Sequence, residues 1–129
     1  MEYRKKILIV DDEQNFVDIM KLNLENAGFY EVKGLTDATQ IISVIRSFKP
    51  KVILLDLIMP GIDGFKVCEM LKNDPIGREI PIIILSVLRD DVDKIKAFRL
   101  KVADYFVKPT EVSRIIAAIE KAIDFKLIL

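Results

Sequence analysis

Short runs of apolar residues alternate with amphipathic stretches from one end of the chain to the other. Ile7-Leu8-Ile9-Val10, Val52-Ile53-Leu54-Leu55 and Ile82-Ile83-Ile84-Leu85 are continuous, short and rich in β-branched residues. Such runs read as strands buried on both faces, as in a parallel sheet. Tyr30 to Lys33 and Ala103 to Val107 carry more polar residues, which predicts edge strands. Between these runs apolar residues recur at helical spacing: Phe16, Ile19, Met20, Leu24 and Ala27; then Ala38, Ile41, Ile42, Ile45 and Phe48; then Val112, Ile115, Ile116, Ile119 and Ile123. Two shorter helices are predicted from about Gly64 to Asn73 and from about Asp90 to Phe98, with Pro75 unable to continue the first.

Five βα units in succession predict an α/β fold, a doubly wound parallel five-stranded sheet with helices on both faces. Right-handed crossovers and two polar edges favour the strand order 2-1-3-4-5. One apolar run alone could be a buried helix segment. Three of this length, each ending in a polar residue, are better explained together as strands. No linker, repeat or low-complexity stretch interrupts the chain, so residues 1–129 are expected to form a single domain.

Composition narrows the chemistry. The 129 residues suffice for one domain with a real core and not for two. Twenty Lys+Arg balance twenty Asp+Glu, so no basic field for nucleic acid is expected. A single cysteine, Cys68, excludes an internal disulfide. With no histidine, the usual zinc sets and His-based acid–base catalysis cannot be built. The basic start, Met1 to Lys6, leads only to the short run Ile7–Val10, which is neither a signal peptide nor a membrane span. A cytoplasmic domain working through carboxylates, hydroxyls or lysine is the expectation.

Those residue types collect at strand ends. In an open α/β sheet, ligands bind outside the carboxyl ends of the strands, where the strand order reverses. Asp11 and Asp12 follow the first strand and Asp56 follows the third. Ser86 ends the fourth, and Lys108, before Pro109, ends the fifth. Like charges ~4–5 Å apart repel by roughly 3–4 kcal/mol even at an effective dielectric near 20. Three carboxylates against one ammonium must therefore keep a proton or gather around a divalent cation. Oxygen donors without His or Cys favour Mg²⁺. A carboxylate can also accept a phosphoryl group as a covalent catalyst, with Ser86 and Lys108 to contact it. Each residue has an ordinary reading as well. Asp12 could cap a helix beginning near Glu13, Asp56 or Ser86 could serve a turn, and Lys108 could be solvated surface. Their coincidence at one sheet edge is what points to chemistry.

Four segments carry a resemblance: Ile7 to Glu13, Leu54 to Gly64 with its Asp-x-x-Met-Pro-Gly-x-Asp-Gly run, Ile80 to Ser86, and Ala103 to Pro109. Together they resemble the receiver domain of bacterial two-component response regulators, relatives of the chemotaxis regulator, which has a flavodoxin-like fold. The resemblance implies that Asp56 is a phosphoacceptor served by a sensor histidine kinase or phosphotransfer protein. It implies Mg²⁺ held by Asp11, Asp12, Asp56 and the backbone carbonyl of Ile58, with Asp12 the direct ligand and Asp11 acting through water. Ser86 falls at the hydroxyl position, Lys108 at the phosphate-contacting lysine and Tyr105 at the switch aromatic. A cis Lys108–Pro109 bond is implied too. The readout face would be the fourth helix, fifth strand and last helix, acting on an output domain or partner. Nothing implies an external substrate; the domain would catalyse its own phosphorylation and autodephosphorylation. The main alternative is a pseudo-receiver that keeps the fold as an interaction module without being phosphorylated. A phosphatase or dehalogenase is disfavoured because Ile58 stands where a second Asp is usual, and nucleotide binding because no Gly-rich loop follows a strand. Two positions depart from the family. Lys101 stands where a glycine is usual, so the fourth helix is expected to end differently, and Val87 replaces Ala or Gly after Ser86, beside the mouth of the crevice.

Overall fold

The computed structural model describes residues 3–128; Met1, Glu2 and Leu129, the ends of the expected domain, lie outside the described residues. The chain runs β1 (Lys5–Val10), α1 (Gln14–Asn26), β2 (Tyr30–Leu35), α2 (Ile41–Phe48) and β3 (Val52–Leu55). It continues as α3 (Gly64–Lys72), β4 (Ile82–Ser86), α4 (Asp91–Arg99), β5 (Asp104–Val107) and α5 (Val112–Ile128). All five strands are parallel, in the order β2-β1-β3-β4-β5 that the crossover rule predicts. A small antiparallel hairpin pairing Ile58–Met59 with Ile62–Asp63, not read from the sequence, stands between β3 and α3.

The strands are apolar at successive positions because both faces are covered. Leu8, Val10, Ile53, Leu55, Ile82 and Ile84 face α2 and α3 through Ile41, Ile45 and Leu71. Ile7, Ile9, Val52, Leu54, Ile83 and Leu85 face α1 and α5 through Val17, Leu24, Ile115 and Ile119. Each fully buried aliphatic side chain contributes about 1.5–3 kcal/mol, which makes these two layers the main source of stability. The register is level at the top of the sheet. Val10 pairs with both Leu35 and Leu55, Leu55 with Ile84, and Ser86 with Val107.

Local details differ from the sequence reading. The buried face of α1 is Val17, Met20 and Leu24, while Ile19 is 61% exposed. Val17 takes its place because β2 offers a gap at Gly34, where an added Cβ would lie 2.2 Å from Val17 Cγ1. β2 continues through Gly34 to Leu35 instead of stopping at Lys33. α4 is displaced by one residue, to Asp91–Arg99, and β5 starts at Asp104. Finally, the expectation that α4 would end differently for want of a glycine does not hold. Lys101 adopts the left-handed conformation itself, with φ of 62°. For a residue with a Cβ this costs roughly 1–2 kcal/mol.

Candidate functional site

The sheet ladder continues one residue past the apolar runs, and this positions the polar groups. The Asp11 N–H donates to the Leu35 carbonyl at 3.1 Å and the Asp56 N–H to the Val10 carbonyl at 3.0 Å. The Lys108 N–H donates to the Ser86 carbonyl at 2.8 Å. Asp11, Asp56 and Lys108 are thus anchored by backbone bonds to neighbouring strands. The Lys108–Pro109 bond is cis.

Asp11 is 1% exposed and has both carboxylate oxygens engaged. Oδ1 accepts the Glu13 N–H at 2.9 Å, and Oδ2 accepts from the Lys108 ammonium at 2.6 Å. Asp11, and not Asp12, therefore satisfies the backbone at the approach to α1, whose N-cap Glu13 makes no side-chain cap bond. Asp12 is left exposed. Asp56 is buried, accepts the Ile58 N–H on Oδ1 at 3.2 Å, and holds Oδ2 3.7 Å from the Lys108 ammonium. Oxygens of Asp11, Asp12 and Asp56 lie within 4.8 Å of one another. Three hard oxygen donors at that spacing, with no softer ligand beside them, fit a small divalent cation such as Mg²⁺. A cavity of about 160 Å³ opens beside Asp12, lined also by Asp37, Met59 and Gly61.

Burial raises the pKa of Asp56 above the ordinary carboxylate value. The Ile58 N–H, the Lys108 ammonium and the Ser86 hydroxyl work against that rise, and the Asp11 carboxylate adds to it. The acidic cluster is electrostatically costly without a cation, as the charge count in the sequence suggests.

Ser86 is fully buried, and its Oγ accepts the Leu88 N–H at 3.3 Å. The Tyr105 hydroxyl donates to the carbonyl of the same Leu88 at 2.7 Å. One backbone residue thus links the two side chains assigned to the switch. Burial, followed by the charges of Asp93, Asp56 and Asp90, pushes the Tyr105 hydroxyl up to about 12. Val87 is 56% exposed and so is not turned into the core.

Sequence reasoning missed three contributors. The Lys108 ammonium, 15% exposed, lies 3.9 Å from the centroid of the Phe16 ring, close enough for a cation–π contact. Phe16 follows the apolar periodicity of α1 and so reads only as part of a helix face; its place in the first turn of α1, whose side chains lean back toward the sheet edge, is the available signal. Leu88 acts through its backbone, which no residue type reveals. Gly64 matters for what it lacks, since an added Cβ would lie 2.4 Å from Leu57 Cα and 2.8 Å from the Asp56 carbonyl oxygen. The start of α3, capped by Asp63 Oδ1 accepting the Phe65 N–H at 2.9 Å, can therefore sit directly against the backbone that carries Asp56.

A doubly wound α/β sheet carrying a lysine-bridged carboxylate cluster at its order reversal defines a class of phosphoryl- or metal-handling domains. Comparison with known families narrows that class. The model of the response regulator receiver domain matches residues 7–120, and the chain belongs to that family. It is 34% identical over 124 residues to the response regulator PleD of Caulobacter vibrioides, a match covering 96% of this chain and 27% of PleD. It is 36% identical over 114 residues to the DNA-binding dual master transcriptional regulator RpaA of Synechocystis, covering 88% of this chain and 47% of RpaA. The chain thus spans less than half the length of either relative. Among solved structures, the receiver domain of the Francisella response regulator 1452 is similar with a TM-score of 0.85 at 25% identity, covering 95% of this chain and 98% of that one. The signal receiver domain of a signal transduction histidine kinase from Syntrophus aciditrophicus gives 0.83 at 26% identity, covering 94% and 91%.

Proposed function

We propose that this receiver domain takes a phosphoryl group onto Asp56 from a sensor histidine kinase or phosphotransfer protein, in a Mg²⁺-dependent reaction, and passes the signal to an output domain or partner. The observation that carries the reading is the Lys108 ammonium bridging Asp11 and Asp56 inside a cluster of three carboxylates. In the transfer, an Asp56 oxygen forms its bond to phosphorus as the donor's phosphorus–nitrogen bond breaks. The leaving imidazole keeps the electron pair and is protonated from solvent. Mg²⁺, held by Asp12, Asp56 and the Ile58 carbonyl with Asp11 acting through water, would neutralise phosphoryl oxygens. The engagement of both Asp11 oxygens and the exposure of Asp12 support that division of labour.

Lys108 then exchanges its contact with Asp11 for one with a phosphoryl oxygen, and the Ser86 hydroxyl turns to donate to another. Leaving Leu88 unpartnered, Ser86 changes the segment that also receives the Tyr105 hydroxyl, which couples the chemistry to α4, β5 and α5. Val92, Ile95 and Phe98 of α4 are exposed there, as an output surface requires. The whole chain, 1–129, works as one receiver unit in the cytoplasm, binding no nucleic acid itself. Among the described residues no helix is long and apolar enough to cross a membrane.

Intact-mass spectrometry after incubation with acetyl phosphate and Mg²⁺ tests the reading. One phosphoryl group should appear, and none with Asp56→Asn or in excess chelator. A chain that stays unmodified is a pseudo-receiver. Melting curves test the metal: Mg²⁺ should stabilise the parent and leave Asp12→Ala almost unmoved. Tyrosine ring signals that ignore a phosphoryl mimic would remove the switch and leave the acceptor standing.

A further inference from the structure

A second cavity lies at the other end of the sheet from the carboxylates. It encloses about 510 Å³ between the ends of α3 and α4, the starts of β4 and β5, and α5. That volume is in the range of small-molecule sites, roughly 300–1,000 Å³. Its walls include Ile80, Pro81, Val102, Ala103, Ala118 and Ala122. Four cationic side chains, Lys72, Arg78, Lys101 and Lys121, stand around it against two carboxylates, Glu79 and Asp104.

Both carboxylates have other calls on them. Glu79 lies 4.0 Å from the Arg78 guanidinium, and Asp104 accepts the Tyr105 N–H at 2.8 Å. Lys101 and Lys121 have no ion-pair partner among the described residues. On a chain with no net charge, this is a local excess of positive charge over an apolar floor. Lys101 adds an independent observation. It is held at a φ of 62°, a conformation glycine adopts without strain, and so brings a cation to the rim at a backbone cost.

We infer that this cavity binds a small amphiphilic anion, with an apolar body against Ile80, Val102 and Ala118 and a carboxylate or phosphate head between Lys101 and Lys121. The apolar walls account for the body and the lysines for the head. Neither feature is used by the carboxylate site.

Amide NMR of the metal-free chain, titrated with octyl phosphate and with octanoate below their micelle concentrations, tests the inference and separates the two head groups. Saturable shifts should appear at Val102, Ala103, Ala118 and Ala122 with at least one of the two, and not at Asp11, Asp12 or Asp56. Inorganic phosphate and octanol should each bind at least tenfold more weakly. Lys101→Gly removes a charge while relieving the backbone, so it should weaken binding severalfold in a protein that melts higher, which rules out misfolding as the cause. Lys121→Glu should weaken it further. Absence of saturation, equal binding of octanol, or unchanged affinity in both variants would overturn the site.

Discussion

The two edges of this sheet are built from the same strands and carry opposite electrostatics. At the carboxyl edge three carboxylates share one ammonium, and burial holds the pKa of Asp56 above its ordinary value. At the amino edge Asp74 and Glu120 are well served. Asp74 accepts the N–H groups of Gly77 and Ile76 at 2.8 and 3.0 Å and pairs with Arg46, and these bonds, the Gly77 N–H first, lower its pKa. Burial works to raise Glu120, but the Lys5 ammonium at 2.5 Å and the Tyr30 hydroxyl at 2.6 Å overcome it and leave the pKa lowered. These amino-edge pairs favour the fold, while the carboxyl edge holds three carboxylates against the single Lys108 ammonium.

The comparison can be broken most severely at Gly64. Gly64→Ala drives a Cβ into the Leu57 backbone and should cost about 3 kcal/mol, read from urea denaturation, with loss of Mg²⁺ binding in whatever remains folded. A stable, metal-binding Gly64→Ala would show that α3 need not approach Asp56 so closely.

The pH dependence sharpens the contrast. A raised folded-state pKa at Asp56 favours the fold below the ordinary carboxylate value, and that contribution is lost as pH rises through the raised one. Asp56→Asn should therefore stabilise the metal-free domain at pH 7. The difference should vanish below about pH 4, where both side chains are neutral. Asp74 and Glu120 have the opposite sign, giving stability above their ordinary values that is lost as pH falls through the lowered ones. Parent and Asp56→Asn should accordingly both lose stability in acid, the variant more steeply because it starts higher. Parallel curves would contradict the assignment of strain to Asp56.

Smaller effects follow at the two family departures. Lys101→Gly should raise stability by about 1 kcal/mol, or roughly 4 °C in melting temperature. Val87→Ala should change stability by less than about 0.5 kcal/mol. The expected effect is kinetic: a stiff branched side chain beside Ser86 would hinder both the donor and the hydrolytic water, so labelling and autodephosphorylation rates should rise together severalfold. Unchanged rates would show that Val87 does not gate the site.

What was legible in the sequence follows from the level register of the sheet. Because Val10, Leu55 and Ile84 align, residues just past the apolar runs have to meet, and the strand order follows from run composition and crossover handedness. What stayed hidden depends on contact between elements. The face of α1 was misjudged at Ile19 because the gap at Gly34 draws in Val17. Phe16 over Lys108, Leu88 between Ser86 and Tyr105, and the cationic cavity all require knowing which helix lies on which strand. Periodicity does not encode that.

The clasp between Lys5 and Glu120 joins groups 115 residues apart, and contacts of that span form only after the intervening chain has been made. As the nascent chain emerges, β1 meets β2 early, but Ile7 waits for Val52, and the face holding Ile7, Ile9 and Leu54 waits for Ile115 and Ile119. Closing so long a loop has an entropic cost that local contacts do not share, so α5 completes the packing that β1 began. A chain cut before Val112 should bare that apolar sheet face, be digested quickly by protease and bind to itself. Synthesis must therefore have passed through α5 before the domain can hold its shape.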